Sequence, residues 1–130
     1  MKFRVVVQPR DQFEAWVAAQ KTAPATPDPS SLEGKGLAAF RNPANQCIAC
    51  HTVDGKNGVG PTWKGIAGHD VDLADGSKVK GDDAYLKESI TNPNVKIVKG
   101  FAANIMPATF GQQLKPEEID GIVEYIKTLQ

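Results

Sequence analysis

The chain is short of nearly everything that would tie it to a membrane, to nucleic acid or to a multi-site metal centre. No run of about 20 apolar residues occurs, so no segment reads as a membrane-spanning helix. No export signal is visible: Met1-Lys2-Phe3-Arg4 leads into a short apolar stretch that turns polar at Gln8. This points to a cut-out piece, or to a mature form whose signal lies elsewhere. Formal net charge is zero, so no field of one sign favours nucleic acid or an anionic surface. The lysines Lys78, Lys80, Lys87, Lys96 and Lys99 gather in the second half, where they read as a solvated face. Only two cysteines, two histidines and two methionines are present.

Three stretches follow from composition. Residues 1–20 begin with β-branched Phe3-Arg4-Val5-Val6-Val7, read as a strand that Pro9 ends. Asp11 to Val17 then reads as a short helix with Phe13, Trp16 and Val17 on one face. Residues 21–31, KTAPATPDPSS, are an extended, semi-rigid Pro/Ala-rich linker that cannot make a core. Residues 32–130 form the main domain. Ser31 caps a helix with Leu32, Leu37 and Phe40 on one face, and Asn42-Pro43 stops it. Val71-Asp72-Leu73 and Lys78-Val79-Lys80 flank Asp75-Gly76 as a small β-hairpin. Asp82 or Asp83 caps a helix running through Ile90. A loop passes through Met106. Pro116 then opens a last helix, with Glu117 and Glu118 at its positive end. Ile119, Ile122, Val123, Ile126 and Leu129 give that helix an apolar face. The domain is mainly α, and its large apolar residues are few for its length. Domains of this size are marginal on apolar burial alone, and a large flat cofactor would supply the missing interior.

The motif that fits such a cofactor is Cys47-Ile48-Ala49-Cys50-His51. Haem carries two vinyl groups, and a thiol adding to each gives two thioether bonds. Cys47 and Cys50 are one helical turn apart, so both sulfurs face one way, with His51 on the same face to meet the iron. Three other readings of C-x-x-C are weaker. A thioredoxin-like redox pair needs a βαβ setting that is missing. Zinc needs four ligands, and only His69 remains as the fourth. A disulfide across two residues is rarer still. The sixth axial position needs a second ligand if the haem is an electron carrier. Met1 is terminal, which leaves Met106 in Asn104-Ile105-Met106-Pro107. A thioether there favours Fe(II) and raises the potential. His69 as a second imidazole, and Met106 as mere loop packing, stay open.

Over residues 32–130 the chain resembles the class I cytochromes c. The resemblance rests on Gly36 and Phe40 facing Ile122 and Tyr125, on the C-x-x-C-H motif, on Gly60-Pro61 and on the Met106 loop, in that order. It implies a class I cytochrome c fold: helices packed around one covalent haem c, with the hairpin and the N-terminal strand–helix tail as additions. It also implies that the Pro61 carbonyl accepts the second N–H of His51, as metal-bound imidazoles generally require. One departure is the spacing: Phe40 lies farther before Cys47 than is usual, with Asn42–Gln46 partly inserted.

VDLADGSKVKGD, DAYLKESITNPN and LKPEEIDGIVEYIKTL further resemble the cytochrome domain fused to subunit II of caa3-type haem–copper oxidases. On that resemblance, FRVVVQPRDQFEAWVAAQ is the remnant of a preceding cupredoxin (copper) domain, and the copper site itself is absent. The implied function is an electron relay without catalysis of its own, in a parent that is a cytochrome c oxidase. A donor redox protein delivers the electron, and the oxidase's dinuclear copper domain and catalytic subunit receive it. Tethering by the linker reduces the need for a charged docking face. Ile48, Ala49, Ile66, Ala103 and Ile105 are candidates for an apolar rim. The piece itself is expected to be soluble and monomeric, on the extracytoplasmic (periplasmic or outer) face of a bacterial plasma membrane, anchored through parts not in the chain. A free-standing soluble cytochrome c shuttle is the first alternative. A five-coordinate haem enzyme or gas-binding domain is the second.

Overall fold

Short-range signals set most of the helix ends in the computed structural model, which describes residues 7, 9–22 and 26–130. The first helix, α1 (Arg10–Thr22), is longer than the expected Asp11–Val17 and runs through Lys21 and Thr22. Among its described side chains none is buried, and Phe13 is half-exposed. The strand expected over Phe3–Val7 lies outside the described residues, save for an exposed Val7.

Ser31 starts α2 (Leu32–Arg41) by accepting the Gly34 N–H on its Oγ at 3.0 Å. This satisfies one of the amides that a helix start leaves free. Leu32 does not join the buried face. It sits in the first turn and is 40% exposed, while Gly34, Gly36, Leu37, Ala39 and Phe40 are buried. A four-residue helix, α3 (Cys47–Cys50), follows.

The strands β1 (Asp70–Asp72) and β2 (Lys78–Lys80) pair antiparallel with Val71 opposite Val79. Gly76 takes φ +86° in their turn, a conformation glycine adopts without cost. The hairpin does not stand alone. Leu73 bridges Val98, and the Lys99 N–H donates to the Asp72 carbonyl at 2.9 Å. The hairpin thus braces the segment that leads toward Met106.

Asp82 Oδ1 accepts the Tyr85 N–H at 2.8 Å and opens α4 (Asp83–Thr91). A short helix that the sequence pattern did not reveal, α5 (Phe110–Gln113), comes next. The last helix, α6 (Pro116–Lys127), starts on Pro116, and Glu118 Oε2 accepts the Lys115 N–H at 2.9 Å. It ends before Leu129, which is half-buried beyond its terminus.

Helices α2 and α6 form the centre of the fold. Ile122 and Val123 are each 1% exposed. Full burial of such side chains stabilises by about 1.5–3 kcal/mol apiece. The contact is closer than a glycine-against-aromatic packing. A Cβ added to Gly36 would lie 1.9 Å from the Gly121 carbonyl oxygen, so the two backbones touch at two glycines. The aromatic partners meet beside that contact, with the Phe40 and Tyr125 rings 6.0 Å apart. Gly36→Ala must therefore push backbone against backbone. It should destabilise the domain by about 3 kcal/mol, read as a lowered denaturant midpoint, whereas a substitution at exposed Ala38 should leave the midpoint nearly unchanged.

Candidate haem site

The stretch between α2 and α3 sets how the cysteines are presented. Asn45 Nδ2 donates to the Ala39 carbonyl at 2.9 Å, tying the extra residues back onto the end of α2. Gln46 then takes a left-handed φ of +54° and starts α3. Cys47 and Cys50 follow on that single turn, and no disulfide joins them. Burial pushes the Cys47 thiol above its ordinary value, with Cys50 adding slightly. His51 leaves the helix as its extended C-cap, so it does not share the helical face with the cysteines. Its N–H still donates to the Cys47 carbonyl at 2.8 Å.

The His51 ring is held from two sides. Nδ1 lies 2.8 Å from the Pro61 carbonyl oxygen. A carbonyl can only accept, so Nδ1 carries the proton and donates. Burial holds the imidazole below its ordinary value, and the Pro61 contact opposes that only in part. The ring is therefore neutral near pH 7, with the Nε2 lone pair free for a metal. Trp63 packs at 5.4 Å from His51, and its other neighbour is Phe40 at 4.6 Å. Gly60 makes room for the ring: a Cβ there would fall 2.7 Å from His51 Cε1.

These groups border one cavity of about 430 Å³, a size typical of cofactor sites. Cys47, Cys50, His51, Pro61 and Met106 all line it. His69 does not; it is exposed, with Nδ1 donating to the Ala67 carbonyl at 3.0 Å. Among the described residues, no group of three or more His, Cys, Asp or Glu side chains gathers as a metal site. Zinc ligation by this set is thereby disfavoured. The walls are mostly apolar, from Trp63, Ile66, Leu86, Ile90, Phe101 and Ile126. Among the described residues, Ser89 Oγ is the buried side-chain polar atom with no hydrogen-bond partner, and it lies on this wall. A largely apolar cavity lined by two thiols, a neutral imidazole and a thioether fits a flat, two-point-attached metal macrocycle.

The family model for cytochrome c matches residues 33–130. The chain belongs to the cytochrome c family. Its fold is the class I cytochrome c fold, mostly helical with one two-stranded sheet. Its cofactor is one covalently attached haem c, and its function is electron transfer. Cytochrome c2 iso-1 of Magnetospirillum fulvum is 38% identical over 96 residues, 66% of this chain and 93% of that protein. Cytochrome c oxidase subunit 2 of Bacillus sp. (strain PS3) is 32% identical over 136 residues, covering 100% of this chain and 35% of that protein. The solved structure of cytochrome cH from Methylobacterium extorquens matches with a TM-score of 0.50 and 30% identity, over 74% of this chain and 97% of that one.

Of the expected rim residues, Ile105 lines this cytochrome's cavity and is 53% exposed, whereas Ile48 (58% exposed), Ala49 and Ala103 are exposed but do not line it. Ile66 is half-buried in the cavity wall and not on the rim. Val59, 59% exposed and also at the cavity, belongs to the rim, though the sequence pattern did not single it out. Trp63 emerges as the packing partner of His51, a contact that only the folded chain reveals. Gly60→Ala should drive the His51 ring off the Pro61 carbonyl. The expected result is a loss of about 1–3 kcal/mol in stability together with a changed visible spectrum of the bound haem, followed in one thermal melt at a haem absorbance.

Proposed function

We propose that this cytochrome carries single electrons through a six-coordinate haem c. In this reading Cys47 and Cys50 form the thioethers, His51 and Met106 are the axial ligands, and the Pro61 carbonyl orients His51. The observation that carries it is that both cysteines, the Pro61-held imidazole and Met106 line one apolar cavity, while His69 stands outside it. When bound, haem c supplies the one-electron couple.

Each residue then has a defined task. The cysteines hold one edge of the ring. The hydrogen bond to Pro61 fixes the His51 tautomer and keeps the imidazole a good donor. Met106 fills the sixth position, so no open site is left for peroxide or a gas, and its soft sulfur raises the potential. The apolar walls exclude water, which favours the less charged, reduced form. Met106→Ala should leave the haem covalently attached, lower the reduction potential and remove the methionine-to-iron charge-transfer band. The band and potential are read by optical redox titration. A variant that keeps both would remove Met106 from the coordination sphere. His51→Ala should cost haem attachment or folding altogether.

The relatives favour a small carrier moving between redox partners over the expected oxidase relay. The cytochrome c2 match covers 93% of that protein, so there the haem domain makes up almost the whole molecule. One observation keeps the relay as a second reading. The similarity to oxidase subunit 2 spans the whole of this chain, residues 1–31 included. Those residues contain the stretch read as a copper-domain remnant and its linker. In either reading the working face is the exposed edge of the cavity at Val59 and Ile105, and covalent haem attachment implies the extracytoplasmic side. Among the described residues no helix is long and apolar enough to cross a membrane.

The charged side chain lining the cavity is Lys96, and it is paired with Glu88, so this face offers a partner little net charge. Electron exchange with a redox partner should change less than about threefold between low and physiological ionic strength, since charge steering is weak. Stopped-flow mixing across a salt series reads this directly, and a steep salt dependence would point to a lysine-ringed docking face instead.

A further inference from the structure

Residues 102–108 carry Met106, yet they belong to no helix or strand. Among the hydrogen bonds of the described residues, one alone ties this stretch to the rest of the chain. The Asn104 N–H donates to Asn94 Oδ1 at 2.7 Å. The two ends of that bond are unusual in complementary ways. Asn104 holds a left-handed φ of +61°, a region that asparagine tolerates better than most residues but that still needs support. Asn94 directly follows Pro93, which is buried at the end of α4. Its backbone therefore leaves directly from a packed residue, although Asn94 itself is exposed. Asn94, Ile105, Met106 and Pro107 all line the haem cavity.

We propose that Asn94 is a positioning residue for the sixth ligand. Its side-chain oxygen clasps the backbone turn two residues before Met106 and holds the thioether at the cavity. This inference rests on Met106 being the axial ligand. The clasp acts by cutting the conformational freedom of a loop with no other hydrogen-bonded anchor among the described residues, since an untethered loop spends part of its time away from the site. One hydrogen bond of ordinary strength changes such an equilibrium by about fivefold.

The test uses the oxidised, haem-loaded protein and imidazole as a competitor for the sixth position. Asn94→Ala should raise the apparent imidazole affinity about fivefold and speed hydrogen exchange at the Asn104 amide by a similar factor. Asn94→Asp keeps an acceptor oxygen at the same reach and should restore both readouts to near wild type. Met106→Ala is the reference for an open site. If wild type binds imidazole as readily as Met106→Ala, the axial assignment falls and the clasp with it. If Met106→Ala binds far more tightly than wild type while Asn94→Ala stays within twofold of wild type, the clasp alone is refuted. If Asn94→Asp behaves like Asn94→Ala, the acceptor oxygen is not the operative group, and the proposal fails on that ground.

Discussion

The close backbone contact between Gly36 on α2 and Gly121 on α6 is the constraint from which the remaining geometry follows. At that distance neither position can carry a side chain. The crossing point is thereby fixed along both helices, because any slide brings a Cβ into a carbonyl. Phe40, one turn along α2, is then placed against Tyr125 on one side and Trp63 on the other. Trp63 in turn backs His51. A column of four rings thus transmits the position of a helix crossing to the imidazole. Such a column is a packing device: aromatic rings fill a fixed volume and tolerate little relative movement.

The Met106 part of the cavity lining is built on different principles. The His51 side is rigid, with a ring stack, a carbonyl contact and a glycine that leaves just enough room. The Met106 side is a loop braced at its approach by the hairpin, through Leu73 and Val98, and clasped near the methionine by a single carboxamide. In the proposed coordination this asymmetry suits the unequal demands of the two ligands. A nitrogen ligand must be held in one tautomer and one orientation. A thioether needs only to be kept within reach.

Much of this was legible in the sequence where a local rule decides. Ser31, Asp82 and Pro116 mark helix starts because their effects act within one turn. Asp75-Gly76 marks the hairpin because a positive φ has to be supplied there. The spacing of Cys47, Cys50 and His51 is local too, though His51 turns out to be the C-cap rather than a member of the helix face. Sequence reading failed where contacts are distant or periodicity has too few residues to show. Leu32 has the right spacing for the apolar face, but the glycine crossing decides which residues are buried. Gly121 looked like an ordinary helical residue until Gly36 was seen against it. Four residues of α5 cannot display a helical period. The Asn94–Asn104 clasp joins two loop residues of unremarkable type, and nothing in their spacing marks them.

The distribution of the proposed haem contacts along the chain sets an order of assembly. Cys47, Cys50 and His51 fall in five consecutive residues, so covalent attachment asks only for a short stretch of accessible chain. Met106 reaches the same cavity only after the chain between has closed a long loop over the hairpin and α4, and that closure costs entropy that native contacts must repay. The first event is therefore available to an unfolded polypeptide and the second is not. In the proposed coordination, the sixth position waits on tertiary structure while the thioethers do not, and the colour of the haem would report whether the Met106 loop has closed.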